Sequence, residues 1–142
     1  MSIPKVIHYC WFGKGEMPKI AQKCIKSWGK YCPDYEIICW NEENFDIRQN
    51  RYMREAYEAK KWAFVSDFAR LKIVYDHGGI YLDTDVELIK PITPLLDSQG
   101  FMGFDEKGIV ASGLGFGAEA GSPFLWELMK LYETLEFYNP DG

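Results

Sequence analysis

Four charged side chains are spaced so that they could do chemistry together: Asp67 and Arg70, three positions apart, and Asp83 and Asp85, two apart. A spacing of three on a helix puts both side chains on one face, and a spacing of two on a strand does the same. Carboxylates that share a face repel one another and raise a pKa unless a cation or a ligand hydroxyl relieves the repulsion. With no thiol or imidazole adjacent, oxygen ligands of this kind suit a hard ion, so Asp85 and Asp83 read as ligands for Mn2+ or Mg2+. Taken singly, each pair is ordinary: acidic doublets occur in surface turns, and an exposed i,i+3 ion pair contributes little. Their conjunction, with a glycine pair and a short apolar strand between them, points to a site.

The elements that must position these groups follow from hydrophobic spacing. Val65, Phe68, Leu71, Val74 and Tyr75 form a helical stripe that carries Asp67 and Arg70. His77-Gly78-Gly79 ends that helix, since glycine accepts the backbone a C-terminal cap needs. Ile80, Tyr81 and Leu82 then make an apolar strand leading to Asp83. Upstream, Lys5 to Cys10 reads as the first strand, with His8 and Trp11 near its carboxyl end, the edge where open α/β sheets bind ligands. The loop from Gly13 to Met17 lacks a phosphate-binding fingerprint. A helix from Pro18 to about Trp28, a turn at Cys32-Pro33-Asp34 and a strand from Tyr35 to Trp40 complete a parallel, right-handed strand–helix–strand unit. Arg51 to Lys61 predicts a charged helix entering the central one with at most a short kink.

Beyond Asp85, Val86 to Ile89 is apolar, and the prolines of Lys90 to Pro94 make an edge or a connector. Phe101 to Phe104 predicts a short strand and Asp105 to Gly108 a turn. Gly113, Gly115 and Gly117 bare one face of the segment Ile109 to Ala118, which is either beside a ligand or an inner strand. Ser122 caps a last helix running to about Leu135, and Glu136 to Gly142 is turn-like.

The chain has 142 residues, enough for one domain with its own core. Hydrophobic residues make up 47% and aromatics 16%, which excludes a disordered chain. Any one of the many rings, Trp11 included, has core packing as its plainer role, and a satisfied histidine inside a strand is the plainer reading of His8. The formal charge of −5 argues against nucleic acid as partner, because phosphate binding wants a basic face. Cys10, Cys24, Cys32 and Cys39 lack C-x-x-C spacing and read as reduced thiols of a cytoplasmic protein, not as a zinc site. No apolar run reaches spanning length.

Three segments together carry a family resemblance: Ile3 to Gly13 (IPKVIHYCWFG), Ser66-Asp67-Phe68-Ala69-Arg70, and Gly78 to Asp85 (GGIYLDTD). The sequence resembles the DxD-containing sugar transferases that include fungal initiating mannosyltransferases, bacterial capsular polysaccharide transferases and, more distantly, the clostridial glucosylating toxins. The combination S-D-x-x-R…G-G-x-Y-x-D-x-D is specific where D-x-D alone is not. The resemblance implies an α/β fold of the A-type nucleotide-sugar transferases, a Rossmann-like mixed sheet flanked by helices, in one catalytic domain over residues 1–142. It implies transfer of a sugar from a nucleoside-diphosphate donor to a carbohydrate acceptor, with retention, in capsular or cell-surface polysaccharide synthesis. A lipid-linked acceptor would bring the protein peripherally to the inner face of a membrane. By the same resemblance, Trp11 would stack on the nucleotide base, Asp67 and Arg70 would clamp the donor sugar, and Asp83 would reach ribose and sugar hydroxyls as well as the metal. Tyr81 and His8 join the donor-binding candidates, and Asp83, Asp85 and Arg70 the catalytic ones.

Other classes fit less well. A polymerase palm with Y-x-D-T-D would want basic groove residues; a haloacid-dehalogenase phosphatase would want Thr or Val where Glu87 stands; a calcium loop would want glycine at Leu88. Because relatives of this kind are usually longer, the alternative expectation is a truncated or pseudo-enzymatic chain acting as a sugar- or nucleotide-binding module.

Overall fold

Why the acidic and basic residues meet is a matter of sheet order. In a computed structural model, residues 3–88, 100–102, 109–111 and 115–134 are described, with 100–102 and 109–111 described by their backbone alone. Strand β1 (Val6–Cys10) passes through helix α1 (Lys19–Tyr31) to strand β2 (Glu36–Trp40), a 3-10 turn at Ile47–Gln49, and helices α2 (Arg51–Glu58) and α3 (Trp62–His77). Strands β3 (Gly79–Leu82), β4 (Val86–Leu88), β5 (Gly100–Met102), β6 (Ile109–Ala111) and β7 (Gly115–Ala118) follow, and helix α4 (Pro123–Thr134) comes last. The expected connector at Lys90 to Pro94, the turn at Asp105 to Gly108, Gly113 and the stretch Glu136 to Gly142 lie outside the described residues.

Five strands form one mixed sheet in the order β2-β1-β3-β7-β5. β1 is parallel to β2 and β3, while β7 runs antiparallel to β3 and β5. β4 and β6 pair in a separate antiparallel ribbon. The period of two along each strand divides the core between the two faces. Ile7, Ile80 and Leu82 pack with Trp28 of α1 and with Val86 and Leu88. Cys10, Tyr81 and Phe116 pack with Met53, Phe68, Leu71 and Leu125 of the other three helices. Trp28 is wholly buried and its indole N–H donates to the Val86 carbonyl at 2.8 Å, while the Ser27 hydroxyl accepts from Leu88 N–H at 2.8 Å. Helix α1 thereby holds β4, the segment that follows the acidic turn.

The central helix buries Val65, Phe68, Leu71 and Val74 as its spacing requires, and Ala69 and Ile73 as well, because it lies against the sheet and against α2 and α4. Tyr75 is half-buried, its ring 5.6 Å from that of Trp126. One expectation needs correction. The helix at Arg51 does not run on into α3: it ends at Glu58, Lys60 takes φ +60, and α3 starts afresh at Trp62. Met53 and Ala56 could not pack in one cluster with α3 if the two were a single rod.

The glycine pair that joins α3 to β3 is required by space. Gly78 caps the helix at φ +71 and Gly79 opens the strand at φ +121, where a Cβ would lie 2.7 Å from the Val6 carbonyl oxygen. Only glycine lets β3 enter the sheet at this angle beside β1. Gly115 and Gly117 pair with Leu82 and Ile80 on a buried strand between β3 and β5, the inner-strand reading of that segment. Ser122 caps α4 as its position predicts, its hydroxyl accepting from Leu125 N–H at 3.4 Å.

Candidate active site

At the carboxyl ends of β1 and β3 lies a cavity of about 430 Å3. Cys10, Trp11 and Phe12 line it from the end of β1 and the loop after it; Trp62, Ala63, Ser66, Asp67 and Arg70 from α3; Tyr81, Asp83, Thr84 and Asp85 from β3 and the turn beyond it. β3 and the turn that follows it bring these groups to α3. Tyr81 faces the α3 side, and Asp83, two residues on, meets Arg70 of α3.

Arg70 is the hub. Its Nη2 is 3.2 Å from Asp67 Oδ1 and its Nη1 is 3.9 Å from Asp83 Oδ1, and the guanidinium carbon sits 6.0 Å from the centre of the Tyr81 ring. The three side chains are only 19%, 25% and 29% exposed, so the cluster is partly desolvated and not a rim pair. Burial pushes the Asp67 carboxyl above its ordinary value, Arg70 pulls it back, Asp83 pushes it further up, and a hydrogen bond from Tyr52 holds the charged form. Tyr81 is buried with its hydroxyl against the Cys10 thiol, and burial raises both groups well above their usual range.

Asp83 and Asp85 both line the cavity, though not as alternating strand residues. The strand ends at Leu82, and the Val86 N–H bonds the Asp83 carbonyl at 3.0 Å, which makes residues 83–86 a turn. Their donor set fits a hard divalent cation: two carboxylates open to one cavity, with the positive charge of Arg70 beside one of them. Among the described residues no three His, Cys, Asp or Glu side chains gather at one point. An ion such as Mg2+ needs only one or two carboxylates and completes its shell with phosphate oxygens and water.

Trp11 also lines the cavity, its indole N–H donating to the Gly15 carbonyl at 2.9 Å. His8 does not line it, which corrects its place among the donor-binding candidates. Its ring is wholly buried on the α3 side, with Nε2 2.9 Å from the Gly78 carbonyl and Nδ1 accepting from the Trp40 indole at 3.0 Å. Trp40 can only donate, so the proton must sit on Nε2. Burial lowers the His8 pKa, the Gly78 carbonyl raises it less, and His77 adds to the lowering. The histidine braces β1 against the glycine pair.

Trp62, Ser66, Phe12, Cys10 and Thr84 were not among the expected site residues. Trp62 and Ser66 had a signal: they stand five and one residues before Asp67, on the turn of the helix that leads to it. The Ser66 hydroxyl donates within the helix, to the Trp62 and Ala63 carbonyls at 3.2 and 3.1 Å.

Comparison with known proteins identifies the fold and the family. A solved structure titled "PaToxG Glycosyltransferase" superposes with a TM-score of 0.70 over 92% of this chain and 60% of that one, at 19% identity. The fold is thus that of the A-type glycosyltransferases. Inositol phosphoceramide mannosyltransferase 3 of Schizosaccharomyces pombe is 31% identical over 134 residues, 91% of this chain and 37% of that protein. Human alpha-1,4-N-acetylglucosaminyltransferase is 37% identical over 81 residues, 56% of this chain and 22% of that protein. The chain spans about two fifths of the length of the first curated relatives it matches. Residues 18–102 match the family described as the glycosyltransferase sugar-binding region containing DXD motif, and the chain belongs to that family. The match takes in Asp67, Arg70, Tyr81, Asp83 and Asp85, whereas Trp11 lies ahead of it.

Proposed function

We propose that this chain is a glycosyltransferase domain, over residues 1–142, that moves a sugar from a nucleoside-diphosphate donor to a carbohydrate acceptor. The observation that carries the reading is the joining of the Asp67–Arg70–Asp83 cluster, Asp85 and the Trp11 wall in one cavity. Asp67 and Arg70 would grip donor-sugar hydroxyls, the carboxylate accepting and the guanidinium donating in fixed directions. Asp83, steadied by Arg70, would take a ribose or sugar hydroxyl and share in holding Mn2+ or Mg2+ with Asp85. When bound, such an ion offsets the negative charge that grows on a departing diphosphate. Trp11 gives the nucleoside base a flat apolar wall, and Tyr81 lies under Arg70 as a buried ring that limits its movement. The partly closed walls strengthen each of these polar contacts relative to water.

Retention of anomeric configuration and a role in capsular or cell-surface polysaccharide synthesis are part of the proposal, supported by resemblance to sugar transferases of that kind. So is action at the inner face of a membrane on a lipid-linked acceptor; the inositol phosphoceramide in the name of the fission-yeast relative supports the lipid part of that reading alone. No helix among the described residues is long and apolar enough to cross a membrane. Calorimetry with UDP-glucose, UDP-N-acetylglucosamine and GDP-mannose, each with and without Mn2+, tests the donor reading. Binding of one donor that needs the metal supports it. Metal-independent binding of free sugars alone would replace it with a sugar-binding module.

A further inference from the structure

The loop that carries Trp11 is held by a carboxylate from far along the chain. Gly13 at φ +96 and Lys14 at φ +61 take successive left-handed conformations, and the second carries a side chain. Such a loop keeps its shape only when its surroundings impose it. Its Gly13 N–H donates to Glu42 Oε2 at 2.6 Å. The same oxygen accepts from the Tyr57 hydroxyl at 3.0 Å. The Tyr57 ring packs edge-on against the Trp62 indole, 5.2 Å between centres. Trp62 in turn sits directly against Gly13, where a Cβ would come within 2.5 Å of its ring. Trp11 and Trp62 both line the cavity, and Glu42 does not.

One carboxylate oxygen therefore ties together the two indoles of the cavity, one through the loop backbone and one through a tyrosine. Hydrogen bonds to an ionised acceptor are the stronger kind. Burial opposes the charge on Glu42, but the bonds from Gly13, its own amide and Tyr57 outweigh it, and the carboxyl sits below its ordinary value.

We infer that Glu42 is a positioning residue for donor binding: it sets where Trp11 and Trp62 stand, and so the affinity for the nucleoside part of the donor, without touching it. This rests on the donor-site reading proposed above. The experiment measures, by calorimetry in the presence of Mn2+, the affinity of the full chain for whichever of UDP-glucose, UDP-N-acetylglucosamine and GDP-mannose it binds most tightly. Glu42→Ala is expected to weaken binding about tenfold, the scale of one lost charge-assisted hydrogen bond. Glu42→Gln, whose amide oxygen can accept both bonds, should stay within about twofold of the parent. Tyr57→Phe keeps the ring and loses one bond, and should weaken binding about threefold even where Glu42→Ala proves too unstable to assay. Because Glu42 acts in part through Trp11, adding Glu42→Ala to a Trp11→Ala chain should cost less than it costs the parent. Equal costs in the two backgrounds, or a Glu42→Gln chain as weak as Glu42→Ala, would overturn the inference while leaving the donor site standing. A parent chain that binds none of the three donors would bring down the donor-site reading itself.

Discussion

Replacing Arg70 by Met tests the hub of the site without any ligand. Methionine is close in length and a good helix former, so α3 itself should be little disturbed. What changes is that Asp67 and Asp83 face one another without the cation between them. At an effective dielectric near 20, charges separated by about 3–4 Å attract by about 4–5 kcal/mol each. Part of this is spent on desolvating the guanidinium, and the side chains are a fifth to three tenths exposed. The net loss at neutral pH should be about 2–4 kcal/mol, below or within the range for removing one partner of a fully buried pair. The loss should also depend on pH, and its sign follows from Asp67. Its folded pKa already lies above the ordinary 3.8, so its contribution favours folding at low pH and is lost as pH rises through the folded value. Removing Arg70 takes away the influence that lowers that pKa, so it rises further, and protonation then silences the repulsion from Asp83. Urea unfolding of parent and variant at about pH 8 and about pH 5 should give a deficit that shrinks on acidification. Other groups, His8 among them, titrate in both proteins and largely cancel in the difference. A deficit that is constant, or that grows toward acid, would refute the placement of Arg70 as counter-ion to the two carboxylates.

Asp85→Ala should abolish Mn2+-dependent donor binding in calorimetry yet shift stability by less than about 0.5 kcal/mol, because it removes an exposed turn side chain and no core atoms. A variant that binds donor and metal like the parent removes Asp85 from the metal site. Trp11→Ala should weaken donor binding by about 1–3 kcal/mol if the indole stacks on a base, and unchanged affinity would make it packing only. Folding stability should hold above pH 6.5 and be lost as pH falls through the depressed pKa of His8, because burial penalises the charged imidazole and protonating Nδ1 also sets a donor against the Trp40 indole N–H. A Trp40→Phe chain frees that nitrogen and should lose less stability between about pH 7 and about pH 5 than the parent; a larger loss would mean that the Trp40 bond does not set the His8 tautomer.

What could be read from the chain beforehand was whatever depends on neighbours in sequence. The stripe of α3, the glycine stop, the apolar strand and the two acidic residues lie in one stretch, and their order alone leads toward a helix–strand site. The break between α2 and α3 was not legible, since Arg51 to Lys61 shows helix-forming residues without a glycine or proline to stop them. It exists because Met53 and Ala56 gain more by packing in the core beside α3 than one straight helix would allow. Likewise His8 sat on the right strand and the right face, but it stands two residues back from Cys10 at the cavity edge, and the Gly78 carbonyl and the Trp40 indole hold its ring there.

The candidate site divides in the same way. Asp67, Arg70, Asp83 and Asp85 announce themselves because charges at helical and strand spacing next to glycines are costly unless used. Trp62 carries only its place one helical stretch ahead of Asp67, and Glu42 looks like any acid in a polar loop. Their importance comes from contacts made across 29 residues, from Gly13 to Glu42, and 15, from Glu42 to Tyr57. Spacing rules cannot see these, because each contact needs the sheet to be assembled first. The charged groups that would meet the donor sugar and diphosphate are therefore written locally, in one run of chain. The aromatic wall that would meet the base is assembled from the loops after β1 and β2, α2 and α3, so substitutions far from one another in sequence should act on it together.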